Sequence, residues 1–179
     1  MSKGKFSVKK MVYAAMFLAI ALVLPFLTGQ IPQYGSMLLP MHLPVLLAGF
    51  VLGGFWGAVV GFVAPLLRSL IFGMPPMFPT AIAMAFELLT YGLVAGLLYK
   101  VVKKNYLGIV LVLLGAMVAG RIVWGIVDML LLTATGSALT FQMFLTASVL
   151  NAIPGIVLQI VVIPAIVFAL QKAKKIPIA

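Results

Sequence analysis

Residues 40–96 read PMHLPVLLAGFVLGGFWGAVVGFVAPLLRSLIFGMPPMFPTAIAMAFELLTYGLVAG, and the reading of this stretch decides the fold. Almost every residue is apolar. Yet the stretch holds the chain's one histidine (His42), one of its two arginines (Arg68) and one of its two acidic residues (Glu87). Ionisable groups inside a hydrocarbon-soluble segment are costly, so they face a cavity or a partner and mark a pathway or a site. Gly49, Gly53, Gly57 and Gly61 fall four residues apart, a spacing that lets helix backbones approach closely in lipid. With Pro65 they also argue against one overlong helix here and for two short spans meeting at Gly53-Gly54-Phe55-Trp56-Gly57.

Working outward, the whole chain has the same character. Of 179 residues, 65% are hydrophobic and 8% charged, where a soluble chain carries about a quarter charged residues. The mean hydropathy is +1.30. A net charge of +10 suggests nucleic acid until the charges are placed: the ten lysines sit in three short clusters at the ends of apolar runs. Such clusters orient membrane spans and touch anionic headgroups, so nucleic-acid binding is excluded. There is no cysteine, hence no disulfide framework and no thiolate chemistry.

Six transmembrane helices are expected in one compact all-α bundle, at roughly 8–28, 40–56, 57–73, 79–100, 106–134 and 141–171. The basic run before the first of these looks like a signal peptide, but no small-residue cleavage site follows, and a retained helix is expected. Lys3, Lys5, Lys9 and Lys10 precede span one; Lys100, Lys103 and Lys104 follow span four; Lys172, Lys174 and Lys175 follow span six. An even number of spans puts all three clusters on one side, and the positive-inside rule makes that side the cytoplasm, with both termini in it.

This topology assigns depths to the polar residues. His42, Arg68, Glu87, Asp128 and Asn151 fall in the outer half, with Arg121 two turns deeper than Asp128, while the cytoplasmic half is hydrocarbon apart from Gln159. A conduit for ions would need polar groups continuing to the other face; polarity that stops partway suits a pocket open on one side. Arg121, Trp124 and Asp128 share one helix face, as an internal ion pair or as ligand contacts. Arg68 and Glu87 could neutralise each other across spans three and four, and His42 could bond a freed carbonyl near Pro40. Glu87 and Asn151, with Tyr91 one turn from Glu87, are the better ligand candidates, since Tyr and Trp offer flat faces and polar tips.

Enzymatic chemistry finds little support. One histidine, no HExxH and no Cys nucleophile leave no motif, and Glu87 with Asp128 lacks the paired-aspartate signature of an intramembrane protease. No phosphate-binding loop is present, so the chain cannot itself drive transport with nucleotide. No cofactor or metal is expected.

Three features together carry a family resemblance: the six-span layout, the small-xxx-small element Ala15/Ala19, and the run from Pro44 to Gly57, which matches P-x-L-L-x-G-x-x-x-G-x-x-x-G. The chain resembles the substrate-binding S components of energy-coupling factor (ECF) vitamin transporters over nearly its whole length. The resemblance implies high-affinity binding of a vitamin or precursor from outside, under a lid at residues 28–39 that includes Gln33 and Tyr34. It also implies docking, through a face with Ala15 and Ala19, on a transmembrane coupling subunit attached to two ATPases that use ATP. The set His42, Arg68, Glu87, Tyr91, Arg121, Trp124, Asp128 and Asn151 would suit a small polar aromatic ring such as pyridoxine or hydroxymethylpyrimidine. Pantothenate, riboflavin, folate and cobalamin are the alternatives within that role. The alternative outside it is a stand-alone transporter coupled to protons through Glu87 or Asp128, although residues 8–73 and 106–171 show no inverted repeat.

Overall fold

A computed structural model describes residues 7–28, 37–137, 140, 142, 144, 146 and 150–173. They form six principal helices: α1 (Val8–Val23), α2 (His42–Leu52), α3 (Gly54–Phe72), α4 (Ile82–Leu98), α5 (Tyr106–Ala134) and α6 (Ile153–Ala173). A 3-10 turn, Leu24–Thr28, extends α1, and a kinked turn, Met77–Ala81, precedes α4. Five of these segments are long and apolar enough to cross a membrane.

The exception is α2, whose 11 residues span about 16 Å, against a hydrocarbon core of about 30 Å. A helix that is hydrophobic all round is a buried one, and in α2 every residue but Leu43 is buried. α1, α3, α4 and α6 pack around it, and the outer helices turn large apolar side chains outward, such as Leu70 at 73% exposure and Leu130 at 62%.

The break between α2 and α3 falls at Gly53, three residues before the expected boundary, because Gly53 has φ 93° and ψ 168°, a conformation open essentially to glycine alone. At the other end of the chain, α6 begins at Ile153 rather than near residue 141. A turn at Asn151–Ala152 separates it from the preceding segment, and Pro154 is tolerated because the first helical turn has no N–H to lose.

The spaced glycines serve packing within the bundle. A Cβ on Gly49 or on Gly57 would lie 2.7 Å from the Gly92 carbonyl oxygen, and one on Gly57 also 2.7 Å from the Gly49 Cα. α2, α3 and α4 thus meet backbone to backbone, with no side chain between them. Gly61 lies equally close to the Leu88 backbone, and Gly96 to Gly54.

Pairwise contacts fix the helix directions. Phe50 of α2 packs edge-on against Tyr99 after α4, at 4.9 Å between centroids, and Gln171 of α6 bonds the Tyr99 hydroxyl. At the other end Gly155 of α6 lies against Met37 and Leu38, just ahead of α2. Hence α2, α4 and α6 run parallel. The Gly54–Gly96 contact makes α3 antiparallel to them, and Arg68 donating to the Leu22 carbonyl makes α1 parallel to α3. The described lysines, Lys9, Lys10, Lys100, Lys103, Lys104 and Lys172, accordingly all gather at one end of the bundle, here termed the lysine end.

Candidate functional site

The polar residues sort into two groups that helix spacing alone does not predict. The first centres on Glu87, 1% exposed in the second turn of α4. Its Oε1 lies 3.0 Å from Arg121 Nη1 of α5 and 3.5 Å from His42 Nε2 at the start of α2. Tyr91, one turn along α4, brings its hydroxyl beside Glu87 and Arg121. Its ring meets the His42 imidazole edge-on at 5.3 Å. The close approach of α4 and α5 here depends on Gly120, where a Cβ would clash with the Tyr91 ring edge.

The geometry leaves this group under-bonded. Both His42 ring nitrogens, Glu87 Oε1, and Arg121 Nε and Nη2 are buried without an aligned hydrogen-bond partner among the described residues. The contacts of Oε1 are ionic and off the hydrogen-bond line. Three helices therefore bring one carboxylate, one guanidinium, one imidazole and one phenol together near the end remote from the lysines. Together they offer donors and acceptors of both signs over a few ångströms.

The second group surrounds Arg68, which is 2% exposed and forms no ion pair with Glu87 among the described residues. Its guanidinium donates to the Leu22 carbonyl and lies over the rings of Phe26 and Phe72, at 5.0 Å and 5.2 Å. The local sequence explains the bond. In the 3-10 turn after α1, the Leu22 carbonyl would accept from residue 25, which is Pro25 and has no N–H. Arg68 supplies the missing donor, so it staples α1 to α3 and does not form the pair with Glu87 that the sequence allowed.

The remaining candidates lie apart from the Glu87 group. Asp128 is buried two turns beyond Arg121 and forms no ion pair among the described residues: the two are about 10 Å apart along α5, and Arg121 turns to Glu87 instead. Trp124, half-buried between them, stacks on Phe144 at 5.9 Å with 22° between planes. Asn151, expected to be buried two to three turns into its span, is exposed in the turn ahead of α6. The lid residues Gln33 and Tyr34 lie outside the described residues. Ala15 and Ala19 are exposed on α1, whose buried face is Ala14, Phe17 and Ala21.

Sequence reasoning passed over Gln159, which it placed in the hydrocarbon half. Gln159 is fully buried, and neither side-chain atom has a partner among the described residues. The start of α6 at Ile153 moves it to the second turn of its helix; the clue was the Asn-Ala-Ile-Pro-Gly run at 151–155. Among the described residues no group of three or more His, Cys, Asp or Glu could hold a metal ion.

Comparison with curated proteins and with solved structures gave no match. The family of ECF transporter substrate-specific components matches the chain over residues 9–167, from the first turn of α1 into the last two turns of α6. With this match and five helices able to span a membrane, the chain is a multi-pass membrane protein that binds a small-molecule substrate for an ECF module. It belongs to the family of ECF transporter substrate-specific components.

Proposed function

We propose that the chain captures a vitamin or vitamin precursor with a small polar aromatic ring, of the pyridoxine or hydroxymethylpyrimidine kind, at the His42–Glu87–Tyr91–Arg121 group. The site opens to the outside, both termini lie in the cytoplasm, and ATP is hydrolysed by two partner ATPase subunits rather than by this chain. The observation that carries the reading is the set of buried, under-bonded polar atoms around Glu87 in a bundle otherwise built from hydrocarbon. Each buried polar atom left without a bond costs about 1–3 kcal/mol. A ligand that completes those bonds regains that energy, which is a source of high affinity.

Charge and size narrow the ligand. One carboxylate beside one guanidinium makes a balanced site, which favours a neutral ring with hydroxyl or amine substituents over the carboxylate of pantothenate. Contacts of 3.0–3.5 Å within the group favour a small ring over folate or cobalamin. The Tyr91 ring, and the Trp124–Phe144 stack further along α5, provide flat faces for it. The orientation is supported by the gathering of the described lysines at the end opposite the site, which the positive-inside rule assigns to the cytoplasm. Exposed Ala15 and Ala19 offer the coupling subunit a shallow helix surface on α1.

The test is thermal-shift and native mass-spectrometry screening of the purified chain against a vitamin panel. A ligand at 100 times its Kd should stabilise the protein by about 2.7 kcal/mol. Glu87→Gln and Arg121→Gln should each weaken its binding at least tenfold. A tight ligand whose affinity ignores both substitutions would place the site elsewhere.

A further inference from the structure

We propose that Gln159 is an additional ligand contact, whose carboxamide recognises a heteroaromatic edge carrying a hydrogen-bond donor and an acceptor on adjacent atoms, as in an aminopyrimidine. This rests on reading the Glu87 group as the binding site.

The position follows from counting along parallel helices. Gln171 and Tyr99 touch at the lysine end. Gln159 lies twelve residues before Gln171 on α6, and Glu87 twelve residues before Tyr99 on α4. At 1.5 Å per residue both stand about 18 Å from that contact, so Gln159 is level with Glu87. Laterally, α6 packs against α2 and α5, the helices that carry His42 and Arg121. It is seated there by Gly155, where a Cβ would come within 2.7 Å of the Met37 carbonyl oxygen. Gln159 is thus buried at the height of the Glu87 group, against the two helices that contribute its imidazole and guanidinium.

The chemistry follows from the side chain. A carboxamide is neutral and planar, with an acceptor oxygen beside a donor nitrogen. It pairs in bidentate fashion with an edge of the opposite order, as Gln pairs with the amine and ring nitrogen of adenine. Glu87 and Arg121 already supply charge, so what Gln159 adds is discrimination by pattern. Packing alone would be served better by methionine, since an unbonded amide in a dry core is destabilising.

The test uses the full chain purified in detergent and three probes: 4-amino-5-hydroxymethyl-2-methylpyrimidine, the same ring without its 4-amino group, and pyridoxine. The wild type should bind the amino compound roughly 5- to 150-fold more tightly than the des-amino ring, as expected of one bidentate pair. Gln159→Met should abolish that gap by weakening the amino compound alone, while the ligand-free protein melts no lower than wild type. An unchanged gap, or equal weakening of both rings, would overturn the proposal. If Gln159→Met does not fold, Gln159→Asn, with the carboxamide one methylene shorter, must narrow the gap, and failure to do so overturns it equally. Binding of pyridoxine but not the aminopyrimidine would overturn this inference and leave the Glu87 site standing. Binding of neither would overturn the ring-class reading as well.

Discussion

Replacing Arg121 by methionine tests whether the Glu87 group is the energetic weak point of the bundle. Glu87 is 1% exposed, and its two nearest counter-charges are Arg121 at 3.0 Å and His42 at 3.5 Å. Removing the guanidinium leaves a buried carboxylate facing one imidazole, and breaking a buried pair in this way costs about 3–5 kcal/mol. For a chain of this length each kcal/mol moves the melting point by about 2–4 °C, so Arg121→Met should melt roughly 6–20 °C below wild type. Replacing both charges leaves no buried ion behind. The double variant Glu87→Gln/Arg121→Met should therefore melt above the temperature that the two single effects predict when summed, with a coupling in the range of about 0.5–3 kcal/mol found for residues in direct contact. The assay is fluorescence-monitored melting in one detergent for the wild type, both single variants and the double. A double variant that melts lower than Arg121→Met by the full effect of Glu87→Gln would show the two groups to be independent, and the reasoning would fail.

Arg68→Met removes a donor from the Leu22 carbonyl and two cation–π contacts, worth together about 2–4 kcal/mol. The melting point should fall while ligand affinity stays within about threefold, and a larger loss of affinity would assign Arg68 to the binding site. Gly92→Ala forces a methyl into the Gly57 backbone and should cost at least the roughly 1–3 kcal/mol of ordinary overpacking; an unchanged melting point would contradict the backbone contact. Hydrogen exchange should be slowest at 46–52, 57–61 and 88–95, and faster exchange there than in α1 would refute the central placement of α2. Ala15→Trp/Ala19→Trp should spare ligand binding by the isolated chain and abolish uptake in cells that express the ECF module, whereas joint loss of both would count against a docking role.

Much of this architecture was legible in the residues. Lysines at helix ends, glycines four apart and a charge-poor interior led to six helices with their basic ends together, because these signals are local or additive along the chain. The α2–α3 break was visible as two adjacent glycines, but which of the two takes the positive φ depends on α4 packing against Gly54. Glu87 stood out as one of two acidic residues, with Tyr91 one turn along. Their partners did not, since i and i+7 relations on α5 suggested Asp128 for Arg121, while the contact that forms crosses to α4. Arg68 was misread for a similar reason: its partner is a main-chain carbonyl, exposed by Pro25 forty-three residues earlier. Gln159 was passed over because the turn at Asn151–Ala152 starts α6 twelve residues later than expected, which moves Gln159 to the second turn, toward the end remote from the lysines.

The meeting of Gly49, Gly57 and Gly92 has a mechanical corollary. A seam made only of main chain has no rotamers through which to yield, so it either holds or comes apart. α2, α3 and α4 then behave as a single stiff block, of which Glu87, Tyr91 and His42 are fixed fittings. Arg121 and Gln159 ride on α5 and α6, outside that seam, so the polar group is divided between the block and the helices packed against it.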